Sequence, residues 1–158
     1  MVRAGEPIRR FILLGAVGSG KTSLLRALED GDEPVRKTQM IDYAGWGIDT
    51  PGEYAEMGVY RERLLAAAAD AKQVVVVQDA TRARSCFPPH YLLMFPQQVL
   101  GAVTKMDLPD ANAERATRLL RESGVRGDVF QVSAFLRSGI DALKRRLMSD
   151  NLTPEGVI

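Results

Sequence analysis

Very little of the chemistry that side chains usually supply for disulfides, soft-metal centres or nucleophile–base pairs is present here. The 158 residues include one cysteine, Cys86, and one histidine, His90. A lone thiol cannot close an internal disulfide, and with no second histidine or cysteine in reach the pair makes neither a zinc set nor an activated nucleophile. Long apolar runs are also missing. Stretches such as 74–77 fall far short of the roughly 20 residues a bilayer crossing needs, so no membrane insertion is expected. Charge of one sign is missing as well: 21 basic against 20 acidic residues leave a net charge of +1, without the basic excess that would draw the chain to nucleic acid. The opening residues are too few and too charged before the first apolar run to form a signal peptide, which points to a cytoplasmic location. No repeat, linker or low-complexity segment breaks the chain.

What is present suits one core. Apolar residues make up 46% of the chain, enough for a single domain over 1–158 with short tails at 1–7 and 150–158. Short, nearly all-apolar runs at Phe11–Leu14, 74–77, 99–103 and 129–132 read as buried parallel strands. Between them, 20–30, 57–71, 111–123 and 139–149 carry apolar residues at three- and four-residue spacing and read as helices. Ser138 with Asp141 resembles a capping box, and Gly124 stands where a helix should stop in a left-handed turn. The stretch 39–49 alternates apolar and polar residues around Ala44-Gly45 and reads as an edge hairpin. The expected fold is therefore a three-layer α/β/α, doubly wound and mostly parallel sheet with one antiparallel edge hairpin. Ligand sites in such sheets lie beyond the carboxyl ends of the strands.

One segment carries specific chemistry. Gly15-Ala16-Val17-Gly18-Ser19-Gly20-Lys21-Thr22 fits G-x-x-x-x-G-K-[ST] and stands between an apolar strand and a helix, the setting in which that motif cradles phosphates. The glycines let N–H groups converge on an anion at the positive end of the following helix. Lys21 is expected to bridge the β- and γ-phosphates, Thr22 to place its hydroxyl on Mg²⁺, and Ser23 to complete the cofactor-contacting set.

Two later segments are placed to match. Ile48-Asp49-Thr50-Pro51-Gly52 supplies a carboxylate for a metal and a glycine N–H for the γ-phosphate, and in this order it resembles the second motif of the GTPase superfamily. Thr104-Lys105-Met106-Asp107 resembles that superfamily's [NT]-K-x-D base-reading motif. Asp107 can accept hydrogen bonds from the N1 and N2 groups that only guanine offers, while the stem of Lys105 lies over the base. Ser133-Ala134 resembles the S-A-x loop whose backbone touches the guanine oxygen, and Thr38 is the candidate switch threonine for Mg²⁺, 11 residues before Asp49.

Taken together, Lys37-Thr38-Gln39, Ile48 to Tyr54, Phe87-Pro88-Pro89 and Thr104 to Asp107 resemble the EutP/PduV family over nearly the whole chain. That resemblance implies GTP/GDP with Mg²⁺ as cofactors, and association with the shell or cargo proteins of a bacterial microcompartment for ethanolamine or propanediol breakdown. It implies a GTPase-like fold, with Lys21, Gly52 and Glu53 as the catalytic candidates. Efficient GTPases carry a glutamine where this chain has Glu53. Val17 should obstruct a partner's arginine, and Gly18 stands where potassium-activated GTPases carry asparagine; Arg36 is the nearby arginine to test as an internal finger. Slow turnover is expected. The alternatives are a nucleotide-gated scaffold or shell adaptor with negligible hydrolysis, and a small-molecule kinase using ATP.

The remaining features read more plainly. The segment 82–96 is apolar enough either to dock a partner or to pack as a shortened helix, and packing is the favoured reading. Tyr43 and Trp46 could meet a partner or cover the sheet rim, and Lys144-Arg145-Arg146 near a helix end reads as a solvated face.

Overall fold

The computed structural model describes residues 11–29, 47–56 and 60–151. Five strands, β1 (Phe11–Leu14), β2 (Gly47–Asp49), β3 (Gln73–Asp79), β4 (Gln98–Thr104) and β5 (Val129–Gln131), alternate with helices α1 (Lys21–Glu29), α2 (Gly52–Glu56), α3 (Arg61–Ala68), α4 (Ala113–Ser123) and α5 (Ile140–Asn151). The strands form one sheet in the order β2-β1-β3-β4-β5, and each neighbouring pair is parallel.

The all-apolar strands follow from burial on both faces. Successive strand side chains point to opposite sides. Phe11, Leu13, Val75, Val77, Leu100 and Ala102 therefore pack with Leu24 and Leu28 of α1 and Ile140, Leu143 and Leu147 of α5. Ile12, Leu14, Val74, Val76 and Val103 turn the other way, to Leu64 and Ala67 of α3 and Ala116 and Leu120 of α4. β1 and most of β3 and β4 leave no face for water, so periodicity gives way there to continuous apolar runs, while the edge strand β5 is partly exposed. The two cores make the fold three layers deep.

The strands outrun their apolar stretches at the carboxyl edge. β3 continues through Gln78 and Asp79 and β4 through Thr104, all buried. β2 and β3 flank β1 on opposite sides, so the chain reverses direction across the sheet at the end of β1. A crevice opens at such a reversal.

Helix boundaries move for local reasons. The helix expected over 57–71 is found as the shorter α3, and a separate short helix precedes it: the Pro51 carbonyl accepts from Tyr54 N at 3.0 Å and opens α2 directly after the Asp49 strand. Residue 111 lies outside α4, since the side chain of Asn112 accepts from Arg115 N at 2.9 Å and caps the helix there, while Gly124 ends it with φ 113° as expected. The segment 82–96 forms a single 3₁₀ turn, Tyr91–Met94, with Phe87, Leu92 and Phe95 buried, in line with the packing reading. Pro88, Pro89 and Pro96 bracket that turn and deny it the length of an α-helix. β2 pairs in parallel with β1; the opposite arm of the expected hairpin lies outside the described residues, as do Arg36, Thr38, Tyr43 and Trp46.

Leu143 of α5 is fully buried beneath the sheet. Leu143→Ala should cost about 2–5 kcal/mol, read as a lower urea midpoint at unchanged slope.

Candidate functional site

The segment joining β1 to α1 is held from outside. Gly18 and Gly20 adopt left-handed backbone, with φ 75° and 99°, a conformation glycine enters without strain. Each carbonyl from Gly15 to Ser19 then meets a side chain. Lys21 Nζ donates to Gly15 O at 2.8 Å and to Ala16 O at 3.0 Å. Arg82 Nη2 donates to Val17 O at 3.0 Å, Lys105 Nζ to Gly18 O at 2.7 Å and Thr104 Oγ1 to Ser19 O at 2.6 Å. In a trans peptide the C=O and the next N–H point opposite ways. The amides of Gly18 and Gly20 therefore face away from Arg82 and Thr104, on the side where the first N–H groups of α1 lack intrahelical partners. Such a concavity of amides suits an anion.

A hydroxyl–carboxylate pair adjoins this concavity. Thr22 Oγ1, one residue into α1, donates to Asp49 Oδ2 at the end of β2 at 2.6 Å. Thr50 Oγ1 ties the same segment to Leu13 O at 2.7 Å. Gly52 then lies so close to the loop that an added Cβ would come within 2.5 Å of Val17 Cα. Glu53 follows within α2; its side chain is outside the described residues. Among the described residues no cluster of three or more His, Cys, Asp or Glu could hold a metal, so a cation here would rest on few protein oxygens.

On the other flank, Lys105 takes a left-handed φ of 63° that carries its ammonium back over the loop. Asp107 Oδ1 accepts from Ser133 Oγ at 2.7 Å, and Ser133 Oγ in turn accepts from Leu136 N at 3.0 Å. Thus the expected residues from Gly15 to Ser23, Asp49, Gly52, Thr104, Lys105, Asp107, Ser133 and Ala134 all gather at one edge of the sheet. The Thr104 hydroxyl braces the loop through Ser19 O.

Asp79 and Arg82 escaped sequence reasoning. Asp79 ends β3 almost fully buried, and its Oδ1 accepts from Thr81 N at 2.8 Å and Thr81 Oγ1 at 2.6 Å. Its Oδ2 pairs with Lys105 Nζ at 2.8 Å and faces Arg82 Nε at 3.7 Å. The carboxylate thus joins the two cations that grip Val17 O and Gly18 O. Burial alone would raise its pKa, but the hydrogen bonds from Lys105 and Thr81 and the charge of Lys105 outweigh burial and hold it below the usual carboxylate value. The signal available in sequence was its position, an acidic residue closing an apolar strand run.

The fold defines a class: an α/β protein with a five-stranded parallel sheet, whose glycine loop between β1 and α1 lies at the strands' carboxyl ends. The chain belongs to the PduV-EutP family, ethanolamine utilisation - propanediol utilisation, whose sequence profile matches residues 8–149. It is 30% identical over 129 residues to "Probable acetate kinase EutP" of Escherichia coli (strain K12), covering 80% of this chain and 81% of that protein. It is 32% identical over 128 residues to the protein of the same name from Salmonella typhimurium, covering 80% of each chain. It is 34% identical over 139 residues to "Propanediol utilization protein PduV" of Citrobacter freundii, covering 86% of this chain and 91% of that one. Among the described residues no helix is long and apolar enough to cross a membrane.

Because the folded Asp79 carboxyl titrates below its ordinary value of 3.8, its ionised form stabilises the fold above that pH, and the contribution is lost as pH falls through the depressed value. Urea midpoints of the wild type should therefore drop as the pH is lowered below about 4, and Asp79→Asn should be less stable at neutral pH with a shallower drop over that window.

Proposed function

We propose that this chain binds GTP or GDP with Mg²⁺ and hydrolyses GTP slowly, its nucleotide state serving as a signal in ethanolamine or propanediol utilisation. The observation that carries the reading is the bracing of the glycine loop by the Thr104 to Asp107 segment. Lys105 and Thr104 hold Gly18 O and Ser19 O, and Asp107 stands two residues further on with one carboxylate oxygen fixed by Ser133. Phosphate-binding and base-reading elements so joined suit one ligand carrying both phosphates and guanine. Guanine presents two donors to a carboxylate and adenine does not, and a site built on such bonds can reject the wrong base by roughly 10⁴-fold.

The hydroxyl of Thr22 and the carboxylate of Asp49 fit Mg²⁺, which takes hard oxygens and keeps several waters. Thr38 is the further candidate ligand. When bound, the ion would neutralise charge on the phosphates. Of the chain's own groups, Lys21 would hold the phosphates, the Gly52 N–H would meet the γ-phosphate, and Glu53 would orient or deprotonate water. A carboxylate there is repelled by the γ-phosphate, about 1–4 kcal/mol at 4 Å depending on the effective dielectric, so turnover is slow. The partners in this reading are shell or cargo proteins of a microcompartment, met in the cytoplasm. In the related reading of a nucleotide-gated adaptor, the same site binds without measurable hydrolysis.

The relatives' names support a second reading, transfer of a nucleotide's γ-phosphoryl group to acetate. That reaction needs a carboxylate held in line with the γ-phosphorus. Arg82, a natural holder of carboxylates, meets the loop from its carbonyl side and Asp79 instead.

Calorimetric titration should give tighter binding of GTP than ATP in the presence of Mg²⁺. Asp107→Ala should abolish that preference, and Lys21→Ala should abolish binding of both. Single-turnover hydrolysis should run at roughly 10⁻⁴ to 10⁻² s⁻¹, the range of unassisted switches. A rate near 1 s⁻¹ without a partner would overturn slow hydrolysis, and acetyl phosphate formed from ATP and acetate would establish the kinase reading.

A further inference from the structure

Phe135 is 85% exposed, the most of any large apolar side chain among the described residues that expose one. Its exposure does not come from a loose loop. Ser133 N donates to Ser138 O at 3.0 Å and closes the turn that carries it. Leu136 N is tied to Ser133 Oγ, and Arg137, in left-handed backbone, donates from Nη2 to Ala27 O at 3.1 Å. At the turn's end Gly139 has φ 73° and stands where a Cβ would collide with Gln131 O. A pinned turn thus presents a phenyl ring to water, an arrangement with no gain for the folded chain by itself.

The ring also borders a cavity of about 180 Å³ that is lined by Asp107, Lys105, Ala134 and Ser23. The Lys105 ammonium is committed to Gly18 O and Asp79, so its four-carbon stem is what remains to form a wall. Ser133 holds Asp107 by one oxygen of its carboxylate. The cavity therefore offers an aromatic wall, an aliphatic wall and an acceptor at its edge. A flat ring with donors on its rim meets all three.

We propose that Phe135 is a nucleotide-binding residue that stacks on the purine ring, setting affinity for the base while Asp107 sets its identity. The inference rests on the guanine-nucleotide reading above and adds to it a contact with the ring face. Stacking is indifferent to the pattern of donors on the ring, since every base has a π face. Removal of Phe135 should therefore weaken guanine and adenine nucleotides alike and leave recognition of the phosphates untouched. Aromatic substitutes should restore it.

The test uses the full chain with Mg²⁺. Wild type, Phe135→Ala and Phe135→Trp are titrated with GDP, with ADP and with inorganic tripolyphosphate by calorimetry. Phe135→Ala should bind GDP about 5- to 150-fold more weakly, the cost of losing one stacked base, with the GDP-to-ADP ratio and tripolyphosphate affinity unchanged. Retained tripolyphosphate binding also shows that the variant is folded. Phe135→Trp should recover GDP affinity, and its fluorescence, after subtraction of the Trp46 signal seen in wild type, should be quenched by GDP. Wild-type GDP affinity in Phe135→Ala, with no quenching in Phe135→Trp, would overturn the proposal and turn the ring towards a protein partner. A wild type that takes tripolyphosphate but not GDP would overturn the guanine reading together with the stack, an outcome told apart by the wild-type arm alone.

Discussion

The structure depends on the outward tethering of the loop between β1 and α1. Of its six residues, Gly15 to Gly20, the first five each have a carbonyl with a side chain at hydrogen-bond distance, supplied by Lys21, Arg82, Lys105 and Thr104, and Gly20 O accepts from Leu24 N. Peptide planarity converts that tethering into an orientation of the amides. Glycine makes the loop possible, but glycine alone leaves it a broad choice of conformations. The tethers select one. They come from the ends of β3 and β4 and from α1, so the shape of the loop is a property of the whole carboxyl edge.

That edge explains why the strands end in polar residues. An isolated buried carboxylate is costly, and the pKa of Asp79 would rise if burial acted alone. The Lys105 ammonium and two bonds from Thr81 reverse the direction, and the ionised group then holds Lys105 and Arg82 over consecutive carbonyls. The half-exposed Arg82 is screened by water, so most of the ordering falls to Lys105. The same lysine, through its stem, walls the cavity below Asp107. One side chain thus links the shape of the glycine loop to that of the neighbouring cavity.

Much of this could be read from residue order. β1 was placed to the residue, and the loop, the Asp49 segment and the Thr104 to Asp107 segment were found because their chemistry is local and ordered along the chain. What escaped depends on contacts between distant positions. Asp79 and Arg82 carry no motif; they matter because β3 adjoins β1, which brings Arg82 to Val17 across a separation of 65 residues. The bond from the Thr104 hydroxyl to Ser19 O was likewise out of reach, since it depends on strand pairing that brings Thr104 under the loop. Phe135 follows the expected Ser133-Ala134 pair but was passed over, because exposure of an aromatic ring is invisible without the turn. The helix over 57–71 was drawn from spacing alone, which overran the ends of α3, and the short helix that Pro51 opens ahead of it carries no such periodicity.

The close approach of Gly52 to Val17 bears on how such a site could report its ligand. No side chain fits between them: a Cβ on Gly52 would also lie 2.7 Å from Val17 Cγ2. The Asp49 segment is tied at one end to β1 through Thr50 and runs at the other into α2, so a displacement at Gly52 is carried straight into a helix. On the guanine-nucleotide reading, the γ-phosphate would then act less by being cleaved than by setting the position of Gly52 and α2, and a protein that senses α2 would sense the nucleotide. A ligand shifts such an equilibrium only by its differential affinity for the two positions, and the Gly52 N–H is the contact through which a triphosphate and a diphosphate would differ.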